Sequence, residues 1–223
     1  MTENVAIILA AGCGVRFGGS VPKQYLSFGK TMLLDQTIGV FISSDIFSKI
    51  LIIVNPHHQK FYKQSIYYDK VFFIDGGNTR SQSVFNAIFF LNDCGIDINT
   101  ILIHDGVRPY ITNTLIKNVF DELIKYGVGH GVIPITLLCD TLRKHEDDKF
   151  IVLSRDNLYL TQTPQGFFFN DILAAYCDID FSKDIACTDD AMIAESYGII
   201  IKSIYGDINN YKITTAADYK SLI

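Results

Sequence analysis

Residues 5–25, VAIILAAGCGVRFGGSVPKQY, pass from an unbroken apolar run into a glycine-rich segment carrying one arginine and one lysine. A continuous apolar run that ends in glycines reads as an inner strand of a largely parallel sheet, with helices over both faces. The loop after it narrows the fold further, because each glycine-rich phosphate motif makes a different demand. The dinucleotide fingerprint G-x-G-x-x-G begins with Gly12 and Gly14, but its third glycine position holds Phe17. The acidic residue that should close the second strand is missing too, since that strand ends Val54-Asn55-Pro56. A P-loop, G-x-x-x-x-G-K-[ST], would be completed by Gly29-Lys30-Thr31 if position 24 were glycine, and it is Gln24. What remains is a strand, the small residues Ala10, Ala11, Gly12 and Gly14, and then Arg16 and Lys23. Backbone amides that can approach an anion closely, followed by two cations, suit a polyphosphate.

Outward from this segment, β-branched runs alternate with amphipathic stretches, the pattern of crossover units around a mostly parallel sheet in an α/β protein. Strands are expected at Val5–Leu9, Lys49–Val54, Lys70–Ile74, Thr100–His104 and Gly131–Ile135, and helices at Leu33–Phe47, Thr79–Asn92 and Leu115–Tyr126. The alternation breaks at Thr136–Thr163, where two strand-like pieces flank the polar tip Lys144-His145-Glu146-Asp147-Asp148-Lys149. That reads as a projecting β-hairpin arm, either a dimerisation device or an ordinary surface hairpin. With 223 residues and 48% hydrophobic content, one domain over residues 1–223 is expected.

The formal net charge of −5 argues against a general nucleic-acid binder, so an anionic ligand must be met by a few placed cations. Cys13, Cys94, Cys139, Cys177 and Cys187 are odd in number, scattered and without a C-x-x-C pair. They suggest neither a disulfide framework nor a zinc site but reduced thiols in an intracellular protein. No signal peptide or membrane span is read in the sequence, and a cytoplasmic location is expected.

Two further loops fall where a parallel sheet places function, beyond the carboxyl ends of strands. His104-Asp105-Gly106-Val107-Arg108-Pro109 puts a carboxylate at a strand end, a common way to hold magnesium beside substrate phosphates; an Asp105–Arg108 pair bracing a turn is the plainer alternative. Asp75-Gly76-Gly77-Asn78-Thr79-Arg80-Ser81-Gln82-Ser83 follows a strand and opens a helix, where it can read a base, a ribose or a phosphate, or serve simply as a cap.

Taken in order, the strings LAAGCGVRFGGSVPKQY, DGGNTRSQSV, HDGVRP, DTLRK, SRDNLYLTQTPQGF, CTDDA and YKIT resemble the 2-C-methyl-D-erythritol 4-phosphate cytidylyltransferase (IspD-type) family over nearly the whole chain. The resemblance implies a Rossmann-like three-layer nucleotidyltransferase fold with a dimerisation arm at about residues 136–163. The implied reaction transfers a cytidylyl group from CTP to a polyol phosphate and releases pyrophosphate, with Mg2+ as cofactor. Ribitol 5-phosphate cytidylyltransferases share most of these strings, so ribitol 5-phosphate is the alternative acceptor. The basic continuation Asp140-Thr141-Leu142-Arg143-Lys144 points to methylerythritol phosphate.

By the same resemblance Arg16, Lys23 and Lys212 are the catalytic cations. Ala10, Ala11, Gly12 and Gly14 cradle the nucleotide, Gly77, Asn78, Arg80 and Ser83 form the cytosine-recognising segment, and Asp105 sits near the ribose and magnesium with Arg108 in support. Asn78 stands where relatives often have aspartate. Thr141, Arg155 and Thr163 match positions that bind the acceptor phosphate, some supplied by the partner of a homodimer. Ser154-Arg155-Asp156 departs from the family by losing the acidic residue before the arginine. No Ser-His-Asp or Cys-His arrangement is found, and none is required, since an acceptor phosphate is already anionic. A non-catalytic nucleotide-binding protein of this fold should lack the charged set Arg16, Lys23, Asp105 and Lys212, which is present in full.

Overall fold

A computed structural model describes residues 2–12, 14, 17, 20–181 and 187–221. Strand β1 (Glu3–Ala10) opens the chain and is followed by a small ribbon of β2 (Ser27–Phe28) and β3 (Thr31–Met32). Helix α1 (Leu33–Ser43), β4 (Lys49–Val54), the short α2 (Gln59–Tyr62), β5 (Phe72–Asp75), α3 (Arg80–Asp93) and β6 (Ile98–Asp105) complete the parallel half. Then come α4 (Asn113–Tyr126), β7 (His130–Leu137), the hairpin β8 (Leu142–Glu146) and β9 (Lys149–Leu153), and β10 (Tyr159–Thr161). The chain closes with β11 (Gln165–Phe168), α5 (Phe169–Asp178), α6 (Asp190–Tyr197), β12 (Ile200–Tyr205) and α7 (Ala216–Lys220).

The parallel strands lie in the order β5-β4-β1-β6. Beyond β6 the short β11 inserts antiparallel between β6 and β7. Because Ile135 pairs with both Thr161 and Tyr205, β10 continues along the β11 side of β7 while β12 lies parallel on the other side. Residues 5–8 are wholly buried, and alternate ones face opposite layers: Val5 and Ile7 pack with α3, α5 and α6, whereas Ala6 and Ile8 pack with α1 and α4. That double burial is why β1 has no polar alternation. Fully burying each of Val5, Ile7 and Ile8 contributes about 1.5–3 kcal/mol.

The expected strands and helices are present with shifted ends. Helix α1 stops at Ser43 instead of running to Phe47, and Asp45 takes a left-handed φ of 59°. The strand expected from Lys70 starts at Phe72, because Tyr68–Lys70 forms a 3-10 turn. The hairpin within Thr136–Thr163 pairs Glu146 with Lys149 across Asp147 and Asp148, both at positive φ (44° and 61°), as a two-residue reverse turn demands. Among the described residues no helix is long and apolar enough to cross a membrane.

Candidate active site

From β1 the chain winds outward to β4 and β5 and then returns to the other side of β1 at β6, so the strand order reverses between β1 and β6. A crevice opens beyond the carboxyl ends at such a reversal. Here it is a cleft of about 450 Å³, lined by Ala10, Ala11, Gly12, Gly14, Lys23 and Gln24 on one side and Gly77, Asn78, Thr79, Arg80 and Ser83 on another. Leu9, Asn55, Asp105, Val107, Lys212 and Thr214 complete the lining.

The first wall is the loop leaving β1. Gly14 takes φ 64°, a conformation costly for other residues. Gln24, 1% exposed, donates both amide protons back to this loop, to Ala10 O at 2.7 Å and Gly12 O at 3.0 Å. Lys23 opens the 3-10 turn that follows Pro22 and donates from Nζ to Ile213 O at 2.7 Å, joining the loop to the C-terminal segment. Arg16 and Cys13 lie outside the described residues.

The second wall joins β5 to α3. Thr79 caps the helix by accepting from Gln82 N, and Gly77 N donates to the Ser83 hydroxyl, which itself donates to Thr79 O. The two loops meet tightly: a Cβ on Gly76 would lie 2.6 Å from Ala11 Cβ and 2.9 Å from Ser83 Oγ. Arg80 begins the helix with its guanidinium in a bidentate pair with Asp190, Nη1 to Oδ1 at 2.8 Å and Nη2 to Oδ2 at 2.7 Å. Tyr176 donates to the same carboxylate at 2.7 Å, and Gln165 accepts from the backbone of Asp190 and Ala191. Burial opposes the Arg80 charge, but Asp190 outweighs it and raises the pKa above the ordinary arginine range.

The floor is built around Asp105, whose Oδ2 takes Lys212 Nζ at 3.1 Å and Arg108 Nε at 3.2 Å, while Arg80 Nε lies 4.0 Å from Oδ1. Burial disfavours this carboxylate; Lys212, Arg80 and Arg108 outweigh that and hold its pKa below the usual range. Arg108 is itself buried and donates to Asn210 O at 2.7 Å. The wholly buried Asn210 donates to Thr163 O, and Gln162 exchanges hydrogen bonds with the backbone of Asp207. Residues 207–210 therefore tie the Lys212 segment to the junction of β10 and β11.

The acceptor positions are placed differently from one another. Thr163 is buried, with its hydroxyl accepting from Asp105 N at 3.1 Å and lying 2.9 Å from His104 Nδ1, so it braces the cleft floor. His104 is wholly buried beside Phe41, and burial pushes its pKa down to about 3. Thr141 and Arg155 are exposed near the base of the arm, outside the cleft lining, and Arg155 donates to Cys139 O. Asp156 accepts from the Ser154 hydroxyl. Of the expected site residues, the cleft gathers Ala10, Ala11, Gly12, Gly14, Lys23, Gly77, Asn78, Arg80, Ser83, Asp105 and Lys212. Sequence reasoning assigned no role to Gln24, Gln162, Gln165, Tyr176, Asp190 or Asn210; Gln24, Gln162, Gln165 and Asp190 stand inside the quoted strings as polar residues with no surface function to explain them.

The IspD family model, 2-C-methyl-D-erythritol 4-phosphate cytidylyltransferase, matches residues 4–222. The enzyme of that name from Alkaliphilus oremlandii is 36% identical, covering 98% of this chain and 92% of its own. A bifunctional enzyme IspD/IspF from Paramagnetospirillum magneticum is 34% identical over 98% of this chain, which spans about half (55%) of that longer relative. Among solved structures, the 4-diphosphocytidyl-2C-methyl-D-erythritol synthase from Anaerococcus prevotii superposes with a TM-score of 0.81 at 26% identity, covering 99% of this chain and 96% of its own. A cleft at the β1/β6 reversal, walled by a glycine loop and floored by a carboxylate among cations, thus lies in a chain that belongs to the 2-C-methyl-D-erythritol 4-phosphate cytidylyltransferase family.

Proposed function

We propose that this chain transfers the cytidylyl group of CTP to 2-C-methyl-D-erythritol 4-phosphate in this cleft, forming 4-diphosphocytidyl-2-C-methyl-D-erythritol and releasing pyrophosphate. The observation that carries the reading is the convergence of Lys23, Arg80 and Lys212 with Asp105 on one cleft that the small-residue backbone of the β1 loop also lines. Catalysis is then positioning and charge neutralisation. The loop at Ala10, Ala11, Gly12 and Gly14 binds the triphosphate through its amides. Lys23 beside that loop and Lys212 from the cleft floor hold it and stabilise charge that grows on the α-phosphoryl oxygens as the acceptor phosphate attacks in line. Arg16, one residue from the described loop, joins them by family resemblance. Gly77, Asn78 and Ser83 orient the base, with Arg80 fixed behind them by Asp190. No proton need leave the acceptor, and His104, neutral and buried, takes no part in proton transfer.

Asp105 is the carboxylate suited to hold Mg2+. Its Oδ1 has Arg80 Nε only at 4.0 Å, beyond hydrogen-bond distance, and the group is held ionised. Magnesium takes one or two carboxylates and completes its shell with substrate phosphate oxygens, where it supplies charge neutralisation. The acceptor phosphate is assigned by resemblance to Thr141 and Arg155, while Thr163 braces the cleft floor. Because the arm carries the first two away from the cleft lining, the reading includes a homodimer whose partner completes the site. Phe150, Ile151, Val152 and Leu153 support it as an apolar arm surface 40–66% exposed in the single chain. The thiols of Cys94, Cys139, Cys177 and Cys187 are free, which supports a reducing, cytoplasmic setting.

The test is pyrophosphate release from CTP and Mg2+ with either 2-C-methyl-D-erythritol 4-phosphate or ribitol 5-phosphate. Release with the first alone is expected. Release only with ribitol 5-phosphate would overturn the acceptor, and release with neither would overturn catalysis.

A further inference from the structure

Gln24 is 1% exposed, and both protons of its side-chain amide are spent on the backbone of the loop that leaves β1. Its carbonyl partners are Ala10 and Gly12, two residues apart, so the amide bridges one turn of the loop from behind. A trans peptide is planar, with its N–H opposite its C=O. Holding Ala10 O against Gln24 therefore turns the Ala11 N–H to the other side. Ala11 and Gly12 themselves line the cleft, as does Gln24. Without these two donors the carbonyls would be free to rotate into the cleft, where they would repel an anion. Gln24 also sits next to Lys23 in the same 3-10 turn, so the turn that presents the lysine is locked to the loop that presents the amides.

We infer that Gln24 is a positioning residue for the polyphosphate: it fixes which face of the β1 loop carries its N–H groups and couples that face to Lys23. The inference rests on the cleft being the CTP site. It requires Gln24 to act on the phosphates and not on the base: its amide donates to Ala10 O and Gly12 O and, among the described residues, to none of the Gly77–Ser83 segment. Two variants separate this role from mere packing. Gln24→Met keeps the length and removes both donors without adding a charge beside the phosphates. Gln24→Asn keeps the amide on a stem one methylene shorter, so that it cannot span both carbonyls.

Calorimetric titration of the full chain with CTP and with CMP, for the wild type and both variants, reads the effect. CTP affinity is expected to fall about tenfold or more, the loss of two buried hydrogen bonds expressed in binding, while CMP affinity changes by less than about threefold. In turnover, KM for CTP rises and KM for the acceptor holds. Equal weakening of CTP and CMP would mean that Gln24 only stabilises the fold, and no weakening would mean that the loop orients itself; either overturns the inference. The shorter Gln24→Asn variant carries the test if Gln24→Met does not fold. A wild type that fails to bind CTP would overturn the cleft assignment and the inference with it, whereas normal wild-type binding with unaltered variants overturns the inference alone.

Discussion

Asp190→Asn probes the organisation of the cleft from outside its lining. Asp190 is completely buried and holds Arg80 through two charge-assisted hydrogen bonds of 2.7 and 2.8 Å, with the Tyr176 hydroxyl on the same carboxylate. Asparagine keeps the shape, so no cavity is created, but one acceptor becomes a donor facing the guanidinium. Removing one partner of a buried ion pair, which leaves the other charge uncompensated, costs about 3–5 kcal/mol. Two features lower that figure here: the Arg80 side chain keeps 23% exposure, and Asp105 stands 4.0 Å from Nε as a second anion. At an effective dielectric near 20, a unit pair at that distance is worth about 4 kcal/mol before desolvation, so Arg80 leans toward Asp105 and recovers part of the loss. The expected net destabilisation is about 2–3 kcal/mol. For a chain of 223 residues that is a fall of roughly 4–12 °C in Tm. KM for CTP should rise in the same variant, since Arg80 moves at the start of α3, next to Gly77 and Asn78. Thermal unfolding followed by circular dichroism and steady-state kinetics in CTP measure the two effects. A Tm within about 1 °C of wild type together with an unchanged KM would show that Asp190 does not hold Arg80 in place, and the reasoning would fail.

Lys23→Ala should lower kcat by about a hundredfold to a thousandfold, the usual loss of one group that stabilises transition-state charge; unchanged turnover would remove the proposed mechanism. Gly76→Ala should cost about 1–3 kcal/mol of stability from overpacking, because its Cβ would press on Ala11 Cβ at 2.6 Å, whereas Gly12→Ala, with nothing within 4 Å, should cost far less in the ligand-free protein. Stability should fall on acidification below pH 6.5: the unfolded chain protonates His104 at its ordinary value, while the folded chain excludes the proton down to about 3. The slope approaches about 1.4 kcal/mol per pH unit from this one group, and chemical denaturation between pH 6 and 4.5 of wild type against His104→Asn measures it. Asp105 acts in the same direction but in a lower window, since a depressed carboxylate loses its stabilisation only as pH falls below its unfolded value of 3.8.

The strands and helices of the parallel half were legible because their signal is local. An apolar run such as residues 5–9, or the spacing of α4, reports burial on one face or two, and burial patterns survive without knowledge of the neighbours. The glycine loop was legible for a similar reason: a strand running into Gly12 and Gly14, with two cations following, has few uses. The short β11 and the edge strand β12 were not drawn from sequence. Four residues reading Gln-Gly-Phe-Phe carry no periodicity, and their insertion between β6 and β7 depends on pairing partners some sixty and thirty-five residues away.

The polar framework of the site divides the same way. Residue types announced that Lys23, Asp105 and Lys212 carry chemistry, since cations and a carboxylate at strand ends have recognisable uses. Nothing in the linear order shows that Asp190 faces Arg80 across 110 residues, that Gln24 clamps the carbonyls of Ala10 and Gly12, or that Asn210 joins Arg108 to Thr163. Thr163 illustrates the limit: resemblance links it to the acceptor, while folding spends its hydroxyl on Asp105 N and His104. Hydrophobic periodicity and loop composition are written along the chain because each residue's preference for water or for a tight turn is its own. Hydrogen-bond partnership in a buried site belongs to pairs, and a pair exists only after the sheet has brought its two members together.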